Sequence, residues 1–274
     1  MAQIQQILRM QGRVEDGVLS IDQDRDDLHV TDADAGQPVP FSPGWEDHGE
    51  IYFQAAGPGR ALLNGNLAVL PSEANGVIDK LEAGGLVFQG FHQHVMGLTP
   101  MVFFIHFRGV GEPLQLARAT AAAIAATGTP LPQQLPAQPS TTLPADQLAK
   151  ILGGDPTVNP GGVVVVDVPR HDALHLGGVS ASSSVGLGTE VSFEPLPNGQ
   201  TAVMPDFGMT AAEVDPVIRT MRAAGFSIGC LYNQETDENP QLYFSHQLAV
   251  GDAIQLAQQV RQGLNHMNME PAGS

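Results

Sequence analysis

Residues 73–117 of this chain align with residues 213–257 at a constant offset of 140, without insertion or deletion. Identities include Glu73/Glu213, Val77/Val217, Ile78/Ile218, Gly85/Gly225, Pro100/Pro240, Phe104/Phe244, His106/His246, Gly111/Gly251 and Leu116/Leu256. A gapless repeat constrains the fold strongly, because one local structure must satisfy both copies. It also provides an internal control. Residues kept in both copies are expected to be scaffold, and residues kept in one are candidates for chemistry. The most visible one-sided feature is His92-Gln93-His94, which the second copy replaces with Tyr232-Asn233-Gln234.

The likeness extends beyond the aligned core. Gly17–Asp22 resembles Gly162–Asp167, and the run from Arg25 to Val30 echoes Arg170–Leu176 with one extra residue. Between the halves, Thr127–Gln147 carries frequent prolines without hydrophobic periodicity, as an extended linker of polyproline II character would. These features place a first unit at residues 1–127, a Pro-rich linker at 128–145, a second unit at 146–268 and a tail at 269–274.

Each unit reads as strand, strand, helix, strand, strand, helix. Asn198-Gly199 marks a hairpin turn between strands at 189–195 and 200–207, since Asn-Gly tolerates positive φ. Thr210 and Glu213 have capping-box spacing ahead of a helix with Val214, Val217, Ile218 and Met221 on one face. Strands are expected at 226–234 and 241–248. The fold class is therefore α+β, with two ferredoxin-like-type ββαββα units packed as a pseudo-dimer, each covering the other's open sheet face.

Composition narrows the function classes. A formal charge of −17 with only 12 Lys and Arg argues against nucleic acid or an anionic membrane as partner, because both require clustered positive charge. The single cysteine, Cys230, rules out an intrachain disulfide and lies in an apolar stretch, as a small buried hydrophobe does. No secretory signal or membrane span is visible, which gives a cytoplasmic expectation.

His92 and His94 are two apart on an expected strand and so share a face. If the following strand returns with residue 92 opposite residue 106, His106 joins them, and three imidazoles can converge on one divalent ion with a position left open. Zinc is the first expectation; iron, nickel and copper also accept imidazole. A one-residue slip would send His106 to the other face. Because His246 mirrors His106, a hydrogen-bonded core role suits that position equally, and loss of His246 is expected to leave metal binding intact. Glu73 is a weaker candidate for a carboxylate ligand or general base, since Glu213 duplicates it and capping suits both. His29 and His175 share a corner position, and Gly109-Val110-Gly111 lacks the rest of a nucleotide fingerprint.

Asn66–Leu70, Glu73, Gly85–His94, Pro100, Phe104-Ile105-His106-Phe107 and Gly109–Pro113 together resemble the LppY/LpqO-like bacterial proteins, in which a His-x-His strand is followed by Pro and a His-Phe pair. Gln93 stands where that family usually has Asn, and the second half keeps the frame without the His-x-His. The family is largely uncharacterised, so the resemblance implies little about activity.

The expectation is a metal-binding protein acting on a small molecule by metal-activated water or a Lewis-acid step. The competing readings are a ligand- or protein-binding module with a cleft between the repeats, and a structural pseudo-dimer. No reaction, substrate or oligomeric state follows from the residues alone.

Overall fold

The computed structural model describes all residues except 34, 43, 136–138 and 270–274. Part of the expected linker and all but the first residue of the expected tail lie outside the described residues. Helices α1 (Ala2–Leu8), α2 (Ala74–Ala83) and α3 (Pro113–Ile124) belong to the first half, and α4 (Ala145–Leu152), α5 (Ala211–Ala223) and α6 (Ala253–Leu264) to the second.

Each half is built on a six-stranded sheet. The first contains β1 (Arg13–Glu15), β2 (Val18–Gln23), β3 (Gly49–Ala55), β4 (Ala61–Val69), β5 (Val87–His92) and β6 (Phe103–Gly111), in the order β1-β2-β3-β4-β6-β5. The second contains β7 (Asp155–Val158), β8 (Val164–Val168), β9 (Thr189–Pro195), β10 (Thr201–Thr210), β11 (Ser227–Ile228) and β12 (Leu242–Gly251), in the matching order β7-β8-β9-β10-β12-β11. All neighbouring strands in both sheets are antiparallel. The expected ββαββα run is present in each half, with two further strands widening the sheet.

Alternation along the strands sorts side chains into two layers. Leu19, Ile21, Ile51, Phe53, Leu63, Leu67, Ile105 and Phe107 point to α1–α3 and form one core. Val164, Val166, Val191, Phe193, Val203 and Phe207 do the same against α4–α6. The opposite faces meet each other. Ala68, Phe104 and Val95 from the first half pack with Val165, Ala202, Met204 and Leu248 from the second, and Tyr52 and Leu62 pack with Leu187 and Phe244. Each buried side chain of this size contributes roughly 1.5–3 kcal/mol by leaving water. The result is four layers, helix–sheet–sheet–helix, with a central seam.

The repeat also preserves a polar corner. Arg25, whose side chain is fully buried, donates to Asp27, Glu73 and the Ala68 carbonyl. Arg170 makes the same contacts to Asp172, Glu213 and the Gly208 carbonyl. Glu73 also accepts from the Leu70 and Gly128 amides, and Glu213 from those of Thr210 and Asn268. The linker is held at Gln133, which bonds to Arg9, Gln11 and Asp24. Among the described residues, no helix is long and apolar enough to cross a membrane.

Candidate metal centre at the seam

β5 is an edge strand that ends at His92, so His94 sits in the bend beyond it and not on the strand as expected. The register also differs from expectation. His92 lies opposite Phe104 and Gly90 opposite His106, with an irregularity between Phe88 and Gly90. The shift is two residues, an even number, so His92 and His106 still share a face as diagonal neighbours. Their Nε2 atoms are 2.8 Å apart.

The second half supplies the rest. The strand expected at 226–234 shortens to Ser227–Ile228, followed by a single bridge between Tyr232 and Phe244. This is the register of β5, because Tyr232 opposite Phe244 matches His92 opposite Phe104. The two counterparts stack on each other across the seam, with ring centroids 3.6 Å apart. Gly229 permits the approach, since a Cβ there would stand 2.1 Å from the His94 carbonyl oxygen.

His246 on β12 therefore reaches the first half's histidines. One nitrogen from each of His92, His94 and His246 falls within 4.8 Å of the others, and all three residues are buried. The rings of His94 and His246 stack at 3.6 Å, and His94 stacks on Phe104 at 3.5 Å. His106 is linked to this set through His92. The sequence reading of His246 as a mirror of a core residue missed that the seam brings it to the same point.

Two carboxylates complete the surroundings. Glu46 Oε2 lies 3.1 Å from His94 Nδ1 and 3.8 Å from His246 Nε2. Asp206 Oδ2 lies 3.6 Å from His246 Nε2. Glu46 is fixed by Ser192, whose hydroxyl donates to Oε1 at 2.5 Å and accepts from Trp45 Nε1 at 2.9 Å. Its backbone is left-handed, with φ of 56°. A side chain in that region costs about 1–3 kcal/mol and persists only where the surroundings impose it.

Burial sets the protonation of the cluster. It lowers the His92 pKa to about 3. Burial, reinforced by neighbouring imidazoles, holds His94, His106 and His246 well below the ordinary histidine value. Four neutral rings therefore keep lone pairs at neutral pH. Burial and then Glu46 and Glu50 push the Asp206 carboxyl well up. Burial also pushes up the Cys230 thiol, whose sulfur lies 3.4 Å from His246 Nδ1, so it is a poor nucleophile there.

The donor set suits a divalent transition metal. Glu46 Oε2 is 3.1 Å from His94 Nδ1. Ligands held about 2.0–2.2 Å from one ion stand roughly 3–3.5 Å apart, so this spacing suits neighbours on a common cation. Neutral imidazoles with a carboxylate accept zinc, iron, nickel or copper. Glu73 lies outside this set, in the ion-paired corner with Arg25.

A family model described as a domain of unknown function (DUF1259) matches the chain twice, at residues 2–126 and 146–266. A search of curated proteins found no match. Among solved structures, a trimeric bacterial microcompartment shell protein, PduB, aligns over 94% of this chain and 91% of its own, at 13% identity and a TM-score of 0.23. That superposition is too loose to speak to fold or assembly.

Proposed function

For this chain, which belongs to the DUF1259 family of unknown function, we propose that the two repeats together bind one divalent transition-metal ion at their seam. His92, His94 and His246 are the nitrogen ligands, Glu46 is the carboxylate ligand, and His106 orients His92. The observation that carries the reading is the convergence of three buried imidazoles from both halves. Zinc is the first choice because it takes mixed nitrogen and oxygen ligands without a redox requirement. This set replaces the His92, His94 and His106 triad expected from the sequence, with His106 moved to a supporting place.

Metal analysis of untagged protein purified without chelator is expected to give about one ion per chain, since a site of this kind holds its ion through purification. Protein that stays empty after exposure to zinc, iron, nickel and copper salts would sink the reading. A second reading adds Lewis-acid or hydrolytic chemistry on a small molecule. It is favoured by Asp206, whose partly exposed side chain stands beside His246 as a proton carrier in reach of solvent. Membership of the LppY/LpqO-like group and unit limits of 1–127 and 146–268 belong to the same proposal.

A further inference from the structure

His106 and His246 hold the same strand position in the two halves, opposite Asn66 and Asp206, yet only His246 belongs to the three-imidazole group. Their neighbours on the adjoining segment differ. Gly90 stands opposite His106. At the constant offset the second half has Cys230 in place of Gly90, and Ser245 in place of Ile105. Both differences sit beside His246.

Cys230 Sγ accepts from the His246 backbone amide at 3.3 Å and lies 3.4 Å from His246 Nδ1. It meets the ring nitrogen that points away from the carboxylates, since His246 Nε2 is the atom 3.8 Å from Glu46 and 3.6 Å from Asp206. The segment is anchored in turn. Ser245 donates to the Cys230 carbonyl at 2.8 Å, and the Gly229 amide donates to the His246 carbonyl at 2.9 Å. A buried cysteine is commonly a small apolar filler. Packing alone does not require its sulfur to lie within reach of both the amide and the ring of one histidine. Nor does it require a fully buried serine where the other half puts isoleucine into its core. Gly90 has no side chain with which to give His106 the same support.

We propose that Cys230 is a positioning residue for the metal centre: its sulfur accepts from His246 Nδ1–H and so aims Nε2 at the ion, while Ser245 holds the cysteine in place. This rests on the metal reading above and adds what makes His246, and not its mirror His106, a ligand. A neutral imidazole that binds a cation through Nε2 carries its proton on Nδ1. A partner for that proton fixes both the tautomer and the orientation of the ring. Sulfur is a weak acceptor, but here it competes with little water, because His246 is only 3% exposed.

The test is the Zn2+ affinity of the full chain, measured by competition with a chromogenic chelator. Cys230→Ala removes the acceptor and is expected to weaken binding about 10- to 100-fold, as loss of a ligand's outer partner does. Cys230→Ser removes the same sulfur but keeps an acceptor, and should recover most of that loss. Ser245→Ala leaves the sulfur and frees only the carbonyl that anchors it, so it should weaken binding by less. With Co2+ in place of Zn2+, the d–d absorption of Cys230→Ala should shift from that of the wild type, and Cys230→Ser should return it. Equal zinc affinities in Cys230→Ala and Cys230→Ser would mark the sulfur as a filler and overturn the positioning role while leaving the metal site standing. If Cys230→Ala fails to fold, wild-type affinity in Ser245→Ala would overturn it instead. A wild type that takes up no zinc would overturn both readings.

Discussion

The two strands that flank the seam have one register and opposite chemistry. Val87–His92 presents His92 and leads to His94, whereas its counterpart presents Tyr232 and leads to Gln234. At the Arg25 and Arg170 corners, by contrast, the halves agree contact for contact. Symmetric residues close each half on its own helices. Asymmetric residues gather where the halves touch. Among the described residues, the copies thus differ in side-chain chemistry at these seam positions while the corners keep the same contacts.

The largest effects should break this contrast at the metal centre. Alanine at His92, His94 or His246 is expected to abolish bound metal, whereas alanine at His106 should weaken affinity about 10- to 100-fold, as loss of a supporting partner does. Metal content after dialysis against graded chelator separates the two classes. Retention of metal by His246→Ala would restore the one-half site that the sequence suggested.

Smaller effects sharpen the symmetric side. Arg25→Met and Arg170→Met each remove a fully buried guanidinium from carboxylates that are mostly only partly buried and are expected to cost about 1–3 kcal/mol, with similar values for the two halves. Urea unfolding measures both. A large difference between them would show that one corner has taken on another task.

The smallest effect concerns Glu194, whose counterpart is Gln54. Burial, opposed by a hydrogen bond from Ser42 and aided by Asp47, raises the Glu194 pKa to about 7. The folded state then holds a proton that the unfolded state, with the ordinary glutamate value of 4.5, has released. Its contribution to stability is therefore lost as pH rises from 4.5 towards 7 and is flat above. Glu194→Gln makes the second copy like the first and removes this slope. Its Tm advantage over wild type should grow between pH 5 and 8, and a constant difference would show that Glu194 is ionised throughout.

Much of the architecture was legible in the residues. The constant offset gave two like units, and the Asn198-Gly199 turn and the Thr210/Glu213 cap stand where expected. The long strand at 226–234 was not, because pairing there depends on what the facing half inserts. Nor was the pairing of His92 with Phe104, two residues from the expected His106, or the one-residue irregularity between Phe88 and Gly90. His92 and His94 were found because they are one-sided. His246 was set aside because it is shared, and that rule fails at a seam, where a shared residue enters the same site from both directions.

Glu46 and Asp206 lay within reach of the same comparison. The offset of 140 continues upstream of the aligned stretch and pairs Glu46 with Gly186 and Asp206 with Asn66. Gly186 and Glu46 both have positive φ, 80° and 56°, so the second copy keeps the glycine that such a turn prefers. A glutamate at that place is the sequence signal that was passed over.

The stack of His92 on Tyr232 has an implication for ancestry. In a homodimer, a side chain that meets its own counterpart at the twofold axis meets an identical residue, and any substitution is made twice. Joining the copies in one chain lifts that obligation. An imidazole could then face a phenol, and a glutamate could replace a glycine on one side alone. Covalent fusion gave this protein the freedom to vary the centre of its own symmetry.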